Sequence, residues 1–150
     1  MHRKKILLIE DDPDVRLGLG IRLKANQYEV YFAGDAASGL AEAGARRPDL
    51  IILDLGLPGE DGYLVLGKLV ASPEAPPIVV LSARDRQAHE QRVRDAGAKV
   101  FCQKPVDNEE LLGTIRQLLA AADQPQKPGG EADARQQSAT EGRTAWQPKY

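Results

Sequence analysis

The 150-residue chain has a single cysteine, which cannot close an intramolecular disulfide. That usage suits a reducing compartment, and a cytoplasmic location is expected. Aromatic residues make up only 5%. No run of about 18 apolar residues occurs, so no membrane span is expected. The start of the chain is basic and then apolar, but the apolar stretch is only Ile6–Ile9 and ends at Glu10-Asp11-Asp12, which does not suit a signal peptide. An excess of one charge is lacking too. There are 20 Lys and Arg against 22 Asp and Glu, a formal charge of −2. This argues against direct binding of nucleic acid through a basic surface.

Large aliphatic residues stop early. After Leu119 there is no Val, Ile, Leu, Met or Phe. The last 30 residues hold five Gln, three Pro, three Gly, four acids and four bases. Such a stretch cannot bury enough apolar surface to offset chain entropy. A disordered tail or linker is therefore expected over residues 122–150. Trp146 and Tyr150 are its only large apolar groups, either incidental or part of a docking motif or further module. Residues 1–121 then form one domain and carry the whole net charge.

Within that domain two periodicities alternate. Lys4–Ile9, Asp49–Asp54 and Pro77–Ser82 read as buried strands because their apolar runs are unbroken. Tyr28–Ala33 and Lys99–Gln103 are less apolar and read as edge strands. Between them lie helical patterns: Pro13–Gln27 with Val15, Leu19 and Leu23 on one face, then Asp35 to about Arg46, Gly62–Ala71 and Arg86–Ala96. Asp35 suits a helix cap and Gly97 a helix end. A last helix follows Asp107, with Glu110 placed for a capping box and Leu111, Leu112, Ile115, Leu118 and Leu119 as its face. The expected fold is α/β, a (βα)5 doubly wound parallel sheet of strand order 2-1-3-4-5.

In such sheets the ligand crevice lies beyond the carboxyl ends of the strands. There the first strand delivers Glu10, Asp11 and Asp12, the third Asp54, the fourth Ser82 and the fifth Lys104. Taken singly, each has a plainer role. Asp11, Asp12 or Asp14 could cap the first helix, Asp54 could belong to a turn, Ser82 could cap a helix and Lys104 could be solvated. Those roles leave the convergence on one edge unexplained. Gathered carboxylates repel, and a hard divalent cation such as Mg²⁺ relieves this. A lysine and a hydroxyl beside them suit a phosphoryl group. An aspartate there can serve as a nucleophile that carries an acyl phosphate.

Several segments carry a resemblance: Ile6-Leu7-Leu8-Ile9-Glu10-Asp11-Asp12, Leu50–Asp54 running into Leu55-Gly56-Leu57-Pro58-Gly59-Glu60-Asp61-Gly62, Ile78–Ala83, and Ala96-Gly97-Ala98 with Lys104-Pro105. Over about residues 3–120 the chain resembles the CheY-like receiver domain of two-component response regulators. The resemblance implies a flavodoxin/CheY-like fold and a phosphorelay role. Asp54 would be the phospho-acceptor, and Mg²⁺ would be held by Asp11, by Glu10 largely through water, by Asp54 and by the backbone carbonyl of Gly56. Asp12 stands as a weaker additional ligand. Lys104, in cis linkage to Pro105, and Ser82 would contact the phosphoryl group. Phe101 would be the switch aromatic, outward until Ser82 moves. Gly56 and Arg84 would tune the rate of dephosphorylation.

The donor would be a sensor histidine kinase or phosphotransfer protein. The signal would leave through the surface of the fourth helix, fifth strand and fifth helix. It would pass to a protein target, a missing effector domain or a second copy in a homodimer. On this reading the chain is a switch that catalyses its own phosphorylation and dephosphorylation, not a metabolic enzyme. Rival readings fit less well. A flavin or mononucleotide binder wants a glycine- or hydroxyl-rich first loop, and Glu10-Asp11-Asp12-Pro13 repels anions. A phosphatase of the Asp-nucleophile type would place an acid two residues on, where Gly56 stands. A receiver-like domain that is never phosphorylated would not need Asp11, Asp54, Ser82 and Lys104 together. Gly18 and Gly20, inside the first helix, have no explanation at this level.

Overall fold

The computed structural model describes residues 2–123. The expected tail, with Trp146 and Tyr150, lies outside the described residues except for its first two positions. Those two continue the last helix, which runs to Asp123.

Ten elements alternate: β1 (Lys5–Ile9), α1 (Pro13–Ala25), β2 (Glu29–Ala33), α2 (Ala36–Arg46), β3 (Leu50–Asp54), α3 (Gly62–Val70), β4 (Ile78–Ser82), α4 (Arg86–Asp95), β5 (Val100–Gln103) and α5 (Asn108–Asp123). The five strands are parallel, in the order β2-β1-β3-β4-β5. The three apolar runs occupy the centre, and the two weaker ones the edges. β3 and β4 are buried at every position because helices cover both faces of the sheet.

Side chains alternate across a strand, so each apolar run feeds two cores. Leu7, Ile9, Ile51, Leu53, Ile78, Val80 and Phe101 pack on the side that includes Val65, Leu66 and Leu69 of α3 and Val93 of α4. Ile6, Leu8, Leu50, Ile52, Val79 and Leu81 pack on the other, with Leu19 and Leu23 of α1 and Leu111, Leu112 and Ile115 of α5. Burying one such side chain contributes about 1.5–3 kcal/mol.

An aspartate caps every helix. Oδ1 of Asp12, Asp35, Asp61, Asp85 and Asp107 accepts a backbone N–H from Asp14, Ser38, Tyr63, Gln87 and Glu109. Each cap is worth about 1 kcal/mol. Because the helices run back against the strands, these aspartates all lie at the carboxyl edge of the sheet.

The two α1 glycines separate cleanly. A Cβ on Gly20 would lie 2.7 Å from Cζ of Phe32, so glycine there lets the helix seat on β2. A Cβ on Gly18 would meet nothing within 4 Å. Gly18→Ala should therefore raise stability by roughly 0.5–1 kcal/mol, read as a higher thermal midpoint, since it removes only the backbone entropy cost of glycine in a helix.

Candidate functional site

Backbone pairing sets the site. Register pairs Ile9 with Leu53, Asp54 with Leu81 and Ser82 with Gln103. Beyond the strands the ladder continues by one bond at each end, from Glu10 N to the Ala33 carbonyl (2.9 Å) and from Lys104 N to the Ser82 carbonyl (2.8 Å). Glu10, Asp54, Ser82 and Lys104 thus stand at one edge on four neighbouring strands.

Their side chains converge. Glu10 is wholly buried, Asp54 is 5% exposed and Ser82 1%. Lys104 Nζ lies 3.0 Å from Glu10 Oε1 and 3.5 Å from Asp54 Oδ2. Gly56 N–H donates to Asp54 Oδ1 at 3.0 Å, and Asp12 N–H to Glu10 Oε2 at 3.2 Å. Carboxylate oxygens of Glu10, Asp11 and Asp54 all fall within 4.8 Å of one another. Glu10 Oε1 is buried without a hydrogen-bond partner, its contact to Lys104 being an ion pair without hydrogen-bond alignment. Three converging carboxylates facing a single ammonium are a donor set that fits a hard divalent cation.

The Lys104–Pro105 peptide bond is cis. Ser82 Oγ accepts the Arg84 N–H at 2.9 Å, which leaves the hydroxyl proton free to be donated.

The comparisons with known proteins agree with this fold. The family model for the response regulator receiver domain matches residues 6–116. The chain belongs to that family. Among curated proteins it is 36% identical to the transcriptional regulatory protein KdpE of Mycobacterium tuberculosis, over 86% of this chain and 58% of the relative. It is 39% identical to the response regulator MprA of Mycobacterium leprae, over 77% of this chain and 50% of the relative. The receiver thus spans about half the length of these relatives. A putative response regulator from Chloroflexus aurantiacus superposes with TM-score 0.75 at 29% identity, covering 79% of this chain and 99% of that one. Chemotaxis response regulator CheY4 of Vibrio cholerae gives 0.72 at 26% identity, over 78% and 99%.

Two features of the receiver differ from the sequence expectation. Asp12 is absent from the acid cluster among the described residues, because its Oδ1 caps α1. Phe101 is not outward. It is 1% exposed and packed in the α3–α4 core, with the Arg86 guanidinium 5.5 Å from its ring centroid. A phenyl ring without a hydroxyl has no polar atom to hold it in solvent, so burial wins.

The charges of the site are interlocked. Burial pushes the Glu10 carboxyl up, Asp54 adds to this, and Lys104 offsets only part of it, leaving a pKa of about 6 against an ordinary 4.5. Burial also acts on Asp54, but the Gly56 N–H, Glu10 and Lys104 outweigh it and hold Asp54 below the usual carboxylate range. Burial alone would lower Lys104, yet Glu10 and Asp54 raise it. At neutral pH Asp54 is therefore an anion facing a fixed ammonium.

A carboxyl with a raised folded pKa holds its proton more tightly in the folded state. Its contribution to stability is complete below 4.5 and is lost as pH rises through about 6. Glu10→Gln should remove that loss. Between pH 4.5 and pH 7 its denaturation midpoint should therefore vary less than that of the wild type, as a thermal scan at several pH values would show.

In the sequence Gly62 opens the Gly62–Ala71 helix and closes the Asp61-Gly62 motif, with no reason attached to its being glycine. A Cβ there would stand 2.1 Å from the Leu55 carbonyl oxygen, so α3 abuts the segment just after Asp54. Neither periodicity nor charge could signal that contact.

Proposed function

We propose that this receiver takes a phosphoryl group from a phosphohistidine protein onto Asp54 and passes the change to a protein surface. The observation that carries the reading is the buried Asp54 carboxylate, held anionic, with Lys104 Nζ at 3.5 Å and the Glu10–Asp11 pair beside it. Glu10, Asp11 and Asp54, with the Gly56 carbonyl, would hold Mg²⁺. When bound, the ion supplies neutralisation of charge on the transferring phosphoryl oxygens.

The chain's own residues do the rest. An Asp54 oxygen attacks phosphorus, the P–N bond breaks and the imidazole leaves with its electron pair. Gly56 N–H orients the carboxylate through Oδ1. Lys104 meets the incoming negative charge as a point cation. The acyl phosphate carries about −1.5 to −2 where the carboxylate carried −1. That difference draws the free Ser82 proton, and the Ser82–Arg84 segment moves with it. Phe101 is already inward, so the change at the α4–β5–α5 surface comes from that loop and from Arg86 above the ring. Later attack by water on phosphorus restores Asp54 and releases phosphate. Gly56 and Arg84 flank that path and set its rate.

An apolar cleft beside Lys104 favours a protein donor. Val15, Gly18, Leu19, Pro105 and Val106 line it, with Asp14, Arg22 and Asn108 as polar groups among them, and elsewhere on α1 Leu17 and Ile21 are 64% and 60% exposed. A sensor histidine kinase or phosphotransfer protein rests there with its histidine over Asp54. The recipient is a protein target, a joined effector domain or a second copy. No described helix is long and apolar enough to cross a membrane, and the reading places the chain in the cytoplasm. Acetyl phosphate with Mg²⁺ should add one phosphoryl group, seen by intact mass. Chelation by EDTA should prevent it, and a gain that persists under EDTA would overturn the reading.

A further inference from the structure

We propose that Arg16 is a positioning residue for the divalent cation, acting through the peptide unit just before Asp11; this rests on the cation site proposed above. Arg16 Nη1 donates to the Glu10 carbonyl at 2.8 Å, and its backbone N–H donates to the Asp12 carbonyl at 2.9 Å. The second bond is the ordinary first turn of α1, which any residue at 16 would make; the side chain itself pins the peptide unit before Asp11, and the unit after it is held by the Asp12 N–H to Glu10 Oε2. Glu10 N–H makes the last bond of β1 to β2, so its carbonyl is where the chain leaves the sheet. Fixing that carbonyl fixes where the Asp11 Cα stands relative to the buried Glu10 carboxylate.

The seat of the guanidinium is built from the other side as well. A Cβ on Gly34, the residue after β2, would come within 3.1 Å of Arg16 Nη1. Glycine keeps that space open, so the arginine is wedged between the ends of β1 and β2. The half-buried Arg16 has no ion-pair partner among the described residues. The interaction of its side chain at this site is with one main-chain carbonyl, that of Glu10.

Two accounts of Arg16 differ in sign. As a bare charge it would repel Mg²⁺, so Arg16→Gln would tighten binding. As a positioning group it holds a metal-ligating acid in place, and its loss weakens binding. Supporting contacts of this kind carry about 10–100-fold in metal affinity.

The experiment is Mg²⁺ titration of the full chain, followed by backbone amide NMR shifts, for wild type, R16Q, R16K and G34A. Arg16→Gln should bind about tenfold more weakly. Arg16→Lys, which keeps the charge and one donor, should recover part of that. Gly34→Ala should weaken binding in the same direction. The Mg²⁺ concentration for half-maximal labelling by acetyl phosphate should rise in step. If wild type binds and R16Q binds equally or more tightly, the cation site stands and Arg16 does not position it. If wild type itself binds no Mg²⁺, the cation site is wrong and the proposal falls with it. Should R16Q fail to fold, R16K and G34A decide the matter by the same sign.

Discussion

Asp54→Asn should take up no phosphoryl group from acetyl phosphate and Mg²⁺ over a period in which the wild-type receiver is labelled to completion. The amide has no anionic oxygen to form the acyl phosphate. The fold should survive, because Asn keeps an oxygen able to accept the Gly56 N–H that Asp54 Oδ1 now receives at 3.0 Å. Lys104 keeps Glu10, its nearer partner at 3.0 Å. Intact mass measures the uptake, and a thermal scan checks the fold. Labelling of Asp54→Asn at the wild-type rate would move the acceptor to another carboxylate, with the exposed Asp11 the first to examine. Loss of labelling together with loss of the folded transition would be uninformative about chemistry, which is why Lys104→Met belongs beside it. That variant removes the ammonium but leaves the nucleophile, so it should slow labelling without abolishing it.

The fold was legible because the alternating strand and helix patterns are strong. Three unbroken apolar runs had to be central, and the weaker pair had to be edges, from burial alone. Strand parity also places part of the site. Glu10 continues the side of Ile6 and Leu8, Asp54 that of Leu50 and Ile52, and Lys104 that of Val100 and Cys102. All three therefore lean toward the α1–α5 face, which is how one lysine reaches both carboxylates. What could not be read was the sorting of acids with similar local sequence. Asp11 and Asp12 are neighbours, yet one joins the cluster and the other caps a helix, and only the φ/ψ of the turn decides between them. The inward Phe101 was hidden for a related reason. A rotamer is settled by packing against α3 and α4, far away in sequence.

Gly62→Ala should be the most destabilising single-methyl change in the receiver, costing more than about 3 kcal/mol, because overpacking against main chain cannot relax as a side chain can. Gly62 is buried, and its added Cβ would sit 2.1 Å from the Leu55 carbonyl oxygen and 2.8 Å from Leu55 Cδ1. Helix propensity alone predicts the reverse, a gain of roughly 0.5–1 kcal/mol from replacing glycine with alanine. Gly18→Ala isolates that gain, since its Cβ meets nothing. The two variants carry the same chemical change near opposite ends of the cost range, and urea denaturation of both should give opposite signs. The clash also has a functional consequence. To relieve it, α3 or the Leu55–Leu57 segment must shift, and that segment holds Gly56, whose N–H orients Asp54. Molecules of Gly62→Ala that remain folded should therefore be labelled more slowly by acetyl phosphate than Gly18→Ala under the same conditions. A midpoint for Gly62→Ala equal to wild type would show that α3 can slide without cost, and the tight seat assigned to it would be wrong.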